Sequence, residues 1–191
     1  MLKISVLYYS RFYHVKNAAE AISDGISDAG LHPILIPVQE AEDRINELND
    51  SHAIIFGSPT YFGAVASELK AFLDKTGDIF WQRKWQNKIA AGFTHSAGLD
   101  GSRLSVLTQL AVFAMQHGMI WVGLDLLSDH KLSVKDENGI PKELGLNRLA
   151  SSFGLMTQSG MVNEVTEDDL ATAKYFGNRV ASITAKFFDN K

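Results

Sequence analysis

Three short segments concentrate the residue types that could bind an anion or a planar ring. The first is Ser10-Arg11-Phe12-Tyr13-His14-Val15, which follows an apolar run and opens a helical pattern. A helix N-terminus has unpaired backbone N–H groups and the positive end of the helix dipole, which together hold phosphate. Ser10 would add a hydroxyl there, or simply cap the helix. The second segment is Gly57-Ser58-Pro59-Thr60-Tyr61-Phe62-Gly63, a stiffened turn with an aromatic pair at its tip. Its backbone could bond the edge of a planar ring, or its aromatics could pack on the next helix. The third, His95-Ser96-Ala97-Gly98-Leu99-Asp100-Gly101, is built largely from small residues that let a backbone approach a ligand closely.

Other chemistries lack their residues. There is no cysteine, so no disulfide, thiolate metal site or cysteine nucleophile can form. Electrons, if the protein moves them, must ride on a bound cofactor. The six histidines, His14, His32, His52, His95, His117 and His130, show no metal-ligand spacing. No nucleotide-triphosphate loop, Rossmann glycine fingerprint or serine-hydrolase elbow occurs. Tyr8, Tyr9 and Ser10 stand where a phospho-relay receiver would carry an acidic pair.

The elements that must position these segments alternate regularly. Ile4–Tyr9, Ile34–Ile36, Ala53–Phe56, Ile89–Phe93 and Met119–Leu124 read as buried strands. Between them run helical patterns: His14 to Ala29, a weaker one around Ile45 and Leu48, Val65 to Thr76, and Leu104 to Met115. A last helix is announced by Thr166-Glu167-Asp168-Asp169, a capping hydroxyl before an acidic first turn. Five βα units predict an α/β fold with a doubly wound, five-stranded parallel sheet of order 2-1-3-4-5. Ligands of such sheets bind at the carboxyl ends of the strands where the order reverses, which is where the three segments fall. The pattern predicts a single domain over residues 1–191, with an insertion at about 125–165 that covers the site or makes subunit contacts.

Hydrophobic residues make up 46% of the chain and charged residues 21%, values of a packed globular protein. A net charge of −4 argues against a nucleic-acid partner, which calls for a basic surplus. The apolar runs are too short to cross a membrane, and the basic residues after Tyr9 do not fit a signal peptide. A cytoplasmic protein is expected.

From Ile4 to about Phe188 the chain resembles the flavodoxin-like NAD(P)H:quinone oxidoreductases of the tryptophan-repressor-binding-protein type. The resemblance is carried by Val6-Leu7-Tyr8-Tyr9-Ser10 with His14, and by Gly57-Ser58-Pro59-Thr60 with Phe62-Gly63. Phe72-Leu73-Asp74-Lys75-Thr76-Gly77 and His117-Gly118-Met119 complete it. It implies a flavodoxin-like fold, one FMN per subunit, NAD(P)H as co-substrate, a quinone-like acceptor, and a homo-oligomer, dimer or tetramer. Carried over by position, Ser10 to Val15 would hold the phosphate, Pro59 to Gly63 and Ser96 to Gly101 the ring edges, and His117 would face the pocket. There it would orient or protonate the acceptor, or else it ends a helix structurally. Phe80, Trp81 and Trp85 read better as core or subunit-contact residues than as pocket walls.

Two departures stand out. Tyr13 replaces a glycine of the family's phosphate loop, and the third loop has Ala97, Leu99, Asp100 and Ser102 at glycine-rich positions. A positive φ at Tyr13 would cost roughly 1–2 kcal/mol, predicting a reshaped loop, weakened FMN or a lost site. The favoured function is two-electron, ping-pong reduction of the acceptor through FMN. The alternatives are a flavodoxin-type electron carrier and a flavin-free binding or regulatory module.

Overall fold

The computed structural model describes residues 1–99, 102–160 and 164–189. Its elements in chain order are β1 (Lys3–Tyr8), α1 (His14–Asp28), β2 (His32–Pro37), α2 (Ile45–Asp50), β3 (Ala53–Pro59), α3 (Ser67–Asp74) and α4 (Gly77–Trp81). Then follow β4 (Ile89–Ser96), α5 (Arg103–Gln116), β5 (Ile120–Trp121), β6 (His130–Lys135), β7 (Pro141–Leu146), β8 (Leu155–Gln158) and α6 (Glu167–Phe188). The main sheet has the expected order β2-β1-β3-β4-β5, all pairs parallel.

The central strands are buried on both faces, and their alternation sorts the core into two layers. Ile4, Val6, Ile55, Ala91 and Phe93 point to one face, where α1 and α6 cover them with Ala18, Ile22, Ile26, Phe176 and Val180. Leu7, Ile54, Phe56 and Ala90 point to the other, beneath Leu69, Phe72, Val106 and Leu110 of α3 and α5. α6 begins as its sequence predicts: the Thr166 side chain accepts the Asp169 N–H, and three acidic residues occupy the first turn.

The fifth strand differs from its prediction. Only Ile120 and Trp121 pair with β4, at Ile89 and Ala90. The chain then leaves the sheet, forms the antiparallel hairpin β6–β7, and returns as β8 to pair with Phe93 to Ser96 of β4. One strand position is thus shared by two segments. A period-two pattern locates a strand but not its partner, so Gly123 and Leu124 look like strand although they run beside Ser152, whose carbonyl accepts the Leu124 N–H at 2.9 Å. The excursion begins earlier and ends earlier than residues 125–165, because residues 155–158 belong to the sheet.

α1 and α6 cross at two glycines. A Cβ on Gly25 would stand 1.9 Å from the Lys174 carbonyl oxygen, and one on Gly177 2.0 Å from that of Ile22. Backbone rather than a flexible side chain blocks both positions, so the helices must part to admit a methyl group. Gly177→Ala is expected to lose about 1–3 kcal/mol, despite alanine's better helix propensity. Urea unfolding of the variant beside an alanine change at half-buried Ser182 measures it.

Candidate functional site

Parallel pairing brings three strand ends to one edge of the sheet: Tyr8 pairs with Gly57, and Pro59 with His95. The loops that follow are tied across this edge. Tyr9 N–H donates to the Gly57 carbonyl at 3.0 Å, and Thr60 N–H to that of His95 at 2.8 Å. Between them opens a cavity of about 320 Å³ lined by residues 10–12, 14–15, 59–61, 95–98 and Ser159.

In the first loop, Tyr13 is in the left-handed region with φ 66° and ψ −22°, at the N-cap of α1. The turn therefore keeps its left-handed shape with tyrosine in place. Tyr13 is exposed and its ring does not line the cavity. The Ser10 hydroxyl accepts the Lys16 N–H at 3.2 Å, so it does cap the helix. The N–H groups of Arg11, Phe12 and Tyr13 have no acceptor among the described residues.

In the second loop Ser58 Oγ accepts the Ala66 N–H at 2.9 Å and donates to the Pro59 carbonyl at 2.8 Å. Thr60 Oγ1 and Thr94 Oγ1 share a hydrogen bond of 2.9 Å. Tyr61 and Ala64 exchange both backbone bonds at 3.0 Å, closing a two-residue turn with positive φ at Phe62 and Gly63. Pro59, Thr60 and Tyr61 line the cavity; Phe62 and Gly63 form the tip and do not. Phe62 is fully exposed.

The third loop is folded around Arg103, a buried residue whose role the sequence did not announce. Its guanidinium donates to the carbonyls of Gly98 at 2.9 Å, Ser96 at 3.4 Å, and Leu99. Ser96, Ala97 and Gly98 face the cavity, whereas Leu99 is exposed. Asp100 and Gly101 lie outside the described residues.

A fourth wall comes from the returning strand β8. The Gln158 side chain donates to the Ala97 carbonyl at 3.2 Å, and its backbone N–H to Asp169 Oδ2 at 2.8 Å. Arg148 pairs with the same carboxylate oxygen at 2.8 Å. Burial pushes the Asp169 carboxyl up, against the hydrogen bonds from Gln158 and Arg148 that favour its charge.

His14 and His95 stack in this cavity, ring centroids 4.5 Å apart and planes inclined by 18°. His95 Nδ1 lies 3.0 Å from Thr157 Oγ1, and Nε2 3.2 Å from Ser159 Oγ. Burial, joined by the charges of His14 and Arg103, pushes the His95 imidazole down to about 3. The ring is a neutral hydrogen-bonding group at any ordinary pH. Sequence reading named His95 and Ser159 only as parts of loops, since pairing residues so far apart needs the sheet register.

His117 does not join this group. A helix that follows a parallel strand runs back to the strands' amino edge, and His117 ends α5 there, just before β5. Gly118 accepts the Asn87 N–H at 2.9 Å, placing it by the start of β4, roughly 20 Å along that strand from Ser96 at 3.3 Å per residue. His117 is buried against Trp85, Phe113 and Phe80, with Nε2 3.1 Å from Thr76 Oγ1. Burial, and then the charge of Arg83, holds its imidazole below the usual range. Trp85 is a core residue, as its sequence context suggests, and Trp81 is exposed.

The model of a known family, described as NADPH-dependent FMN reductase, matches residues 16–131. The chain belongs to that family. It is 33% identical to Flavodoxin FldP of Pseudomonas aeruginosa over 96% of this chain and 97% of that one. It is 31% identical to an NAD(P)H dehydrogenase (quinone) of Sinorhizobium fredii, over 99% and 100% of the two chains. The structure of a WrbA-like flavodoxin from Agrobacterium tumefaciens superposes with a TM-score of 0.75 at 31% identity, covering 98% of this chain and 99% of that one. This member of the FMN reductase family is thus an NAD(P)H oxidoreductase of flavodoxin-like fold whose cofactor is FMN.

The residues present fit that cofactor. Unsatisfied N–H donors at the start of α1 suit a phosphate, and among the described residues no carboxylate side chain lines the cavity to repel it. Tyr13→Gly is expected to stabilise the fold by about 0.5–1 kcal/mol, the left-handed cost relieved less glycine's extra unfolded-state entropy. Chemical denaturation checks this.

A pH dependence follows from His95. Its folded pKa lies below the unfolded value, so its contribution is complete above about pH 6.5 and is lost as pH falls toward about 3. Between pH 7 and 4.5, wild type is expected to lose about 2 kcal/mol more stability than His95→Gln. Urea titrations at both pH values give the difference.

Proposed function

We propose that this single-domain protein works in the cytoplasm as an NAD(P)H:quinone-type oxidoreductase. Two electrons would pass from a reduced nicotinamide to a quinone-like acceptor at one site, in ping-pong order. The observation that carries the reading is the cavity itself. Three loops and β8 converge on it with unpaired N–H groups, hydroxyls and two stacked imidazoles, and among the described residues without a carboxylate. Relatives named NAD(P)H dehydrogenase (quinone), matched over nearly their whole length, support the acceptor class.

FMN, when bound, supplies a ring system that accepts a hydride and later gives both electrons up. The protein supplies position and field. The N–H groups of Arg11, Phe12 and Tyr13 would hold the phosphate, with Ser10 keeping that turn in place. Val15 and His14 would form the floor beside it. Pro59, Thr60 and Tyr61 on one side, and Ser96, Ala97 and Gly98 on the other, would bracket the ring edges. Phe62, Gly63 and Leu99 would form the outer rim through which nicotinamide and acceptor enter in turn. With no cysteine in the chain, no thiol can relay electrons, so donor and acceptor must use the same flavin. His117 stands at the opposite edge of its own sheet, so a catalytic role for it would run between copies of a homo-oligomer.

A second reading, a flavodoxin-type electron carrier, is favoured by the relative named Flavodoxin FldP. Anaerobic stopped-flow separates the two. The yellow FMN-loaded protein is expected to bleach rapidly with NADPH or NADH, and steady-state double-reciprocal plots with a benzoquinone to give parallel lines. Slow bleaching by both nucleotides would favour the carrier, and converging lines would exclude ping-pong order. Failure to bind FMN at micromolar concentration would overturn both.

A further inference from the structure

Arg11 is the only permanently charged side chain among the described residues that line the cavity. Its guanidinium lies over the Phe12 ring, 5.3 Å from the centroid, and has no ion pair or hydrogen-bond acceptor among the described residues. Its charge is felt by Tyr9, by Tyr61 of the second loop and by Glu68 of α3. No ion pair joins it to Glu68, whose carboxylate accepts the Tyr9 hydroxyl at 2.6 Å and the Ser67 hydroxyl at 2.9 Å.

The flavin phosphate has its own partners in the N–H groups of the first loop, so the Arg11 charge is left over at the rim. An Arg fork is suited to a phosphomonoester, which it pairs with bidentately. The two forms of nicotinamide dinucleotide differ by one such group, on the adenosine 2′ position. Recognition of a free 2′-hydroxyl instead favours a carboxylate acceptor, and none lines this cavity among the described residues. We propose that Arg11 selects the 2′-phosphorylated nicotinamide over the unphosphorylated one by pairing with that phosphate at the mouth of the cavity. The proposal rests on the reductase reading above and names its co-substrate.

Calorimetric titration of the FMN-loaded protein with NADP⁺ and NAD⁺ tests it without turnover. Wild type is expected to bind NADP⁺ about 10-fold more tightly or better. Arg11→Ala, which keeps the loop's backbone N–H, should bring the two within about 2-fold by weakening NADP⁺ and not NAD⁺. Arg11→Glu should reverse the order. Equal affinities in wild type, equal losses for both nucleotides in Arg11→Ala, or no binding of either would overturn the proposal. So would a fall in FMN affinity on substitution, which would assign Arg11 to the flavin phosphate. If NADP⁺ selectivity holds but neither reduced nucleotide bleaches the flavin, the reductase reading fails while the role of Arg11 stands.

Discussion

The winding of the sheet reverses at β1. The connection leaving β1 crosses one face to β2, while the connection leaving β3 crosses the other face to β4, so adjacent strand ends send their chains in opposite directions. A crevice is left between them that no backbone fills. Everything at the site depends on this divergence: α1 points its N-terminus into the gap, and the loops after β3 and β4 form its sides. The core makes the divergence rigid, with β1 and β3 buried on both faces and α1 held to α6 through two glycines whose Cβ positions are taken by backbone.

Within that frame the site is nearly uncharged. Its walls offer serine and threonine hydroxyls, backbone N–H groups and two stacked imidazoles, one kept neutral by burial. The buried charges stand behind the wall. Arg103 holds the third loop through its carbonyls, and Arg148 with Asp169 fixes β8. Among the described residues, a cofactor bringing its own negative phosphate therefore meets dipoles in the wall and the Arg11 guanidinium at the mouth.

Much of this could be read from the chain. Apolar runs bounded by turn residues gave the strands, and topology gave the edge where a ligand sits. Ser10 to Val15, Pro59 to Tyr61 and Ser96 to Gly98 are at or around that edge. Reading failed where long-range pairing decides. Nothing local marks Leu155–Gln158 as sharing a strand position with Ile120 and Trp121, so Ser159 was not tied to His95. Arg103 looked like any first-turn residue, because its partners are carbonyls of a loop whose shape it creates. His117 was assigned to the pocket through a family motif, and the direction of α5 carries it to the other edge. Phe62 and Gly63 are expected at the ring through the family resemblance; their left-handed turn makes them the tip of the loop, outside the cavity lining.

The shared fifth strand position bears on how the protein is made. Synthesis proceeds from the N-terminus, so the phosphate turn, the second loop and the third loop are complete before residues 155–169 have left the ribosome. Until then the outer half of β4 has an open edge, and His95 lacks both hydroxyls that engage its ring. The fourth wall arrives with β8, and its anchor Asp169 arrives with α6. Flavin capture therefore belongs to the end of synthesis, and a chain truncated within the hairpin would have the cradle for a phosphate without the enclosure for a ring.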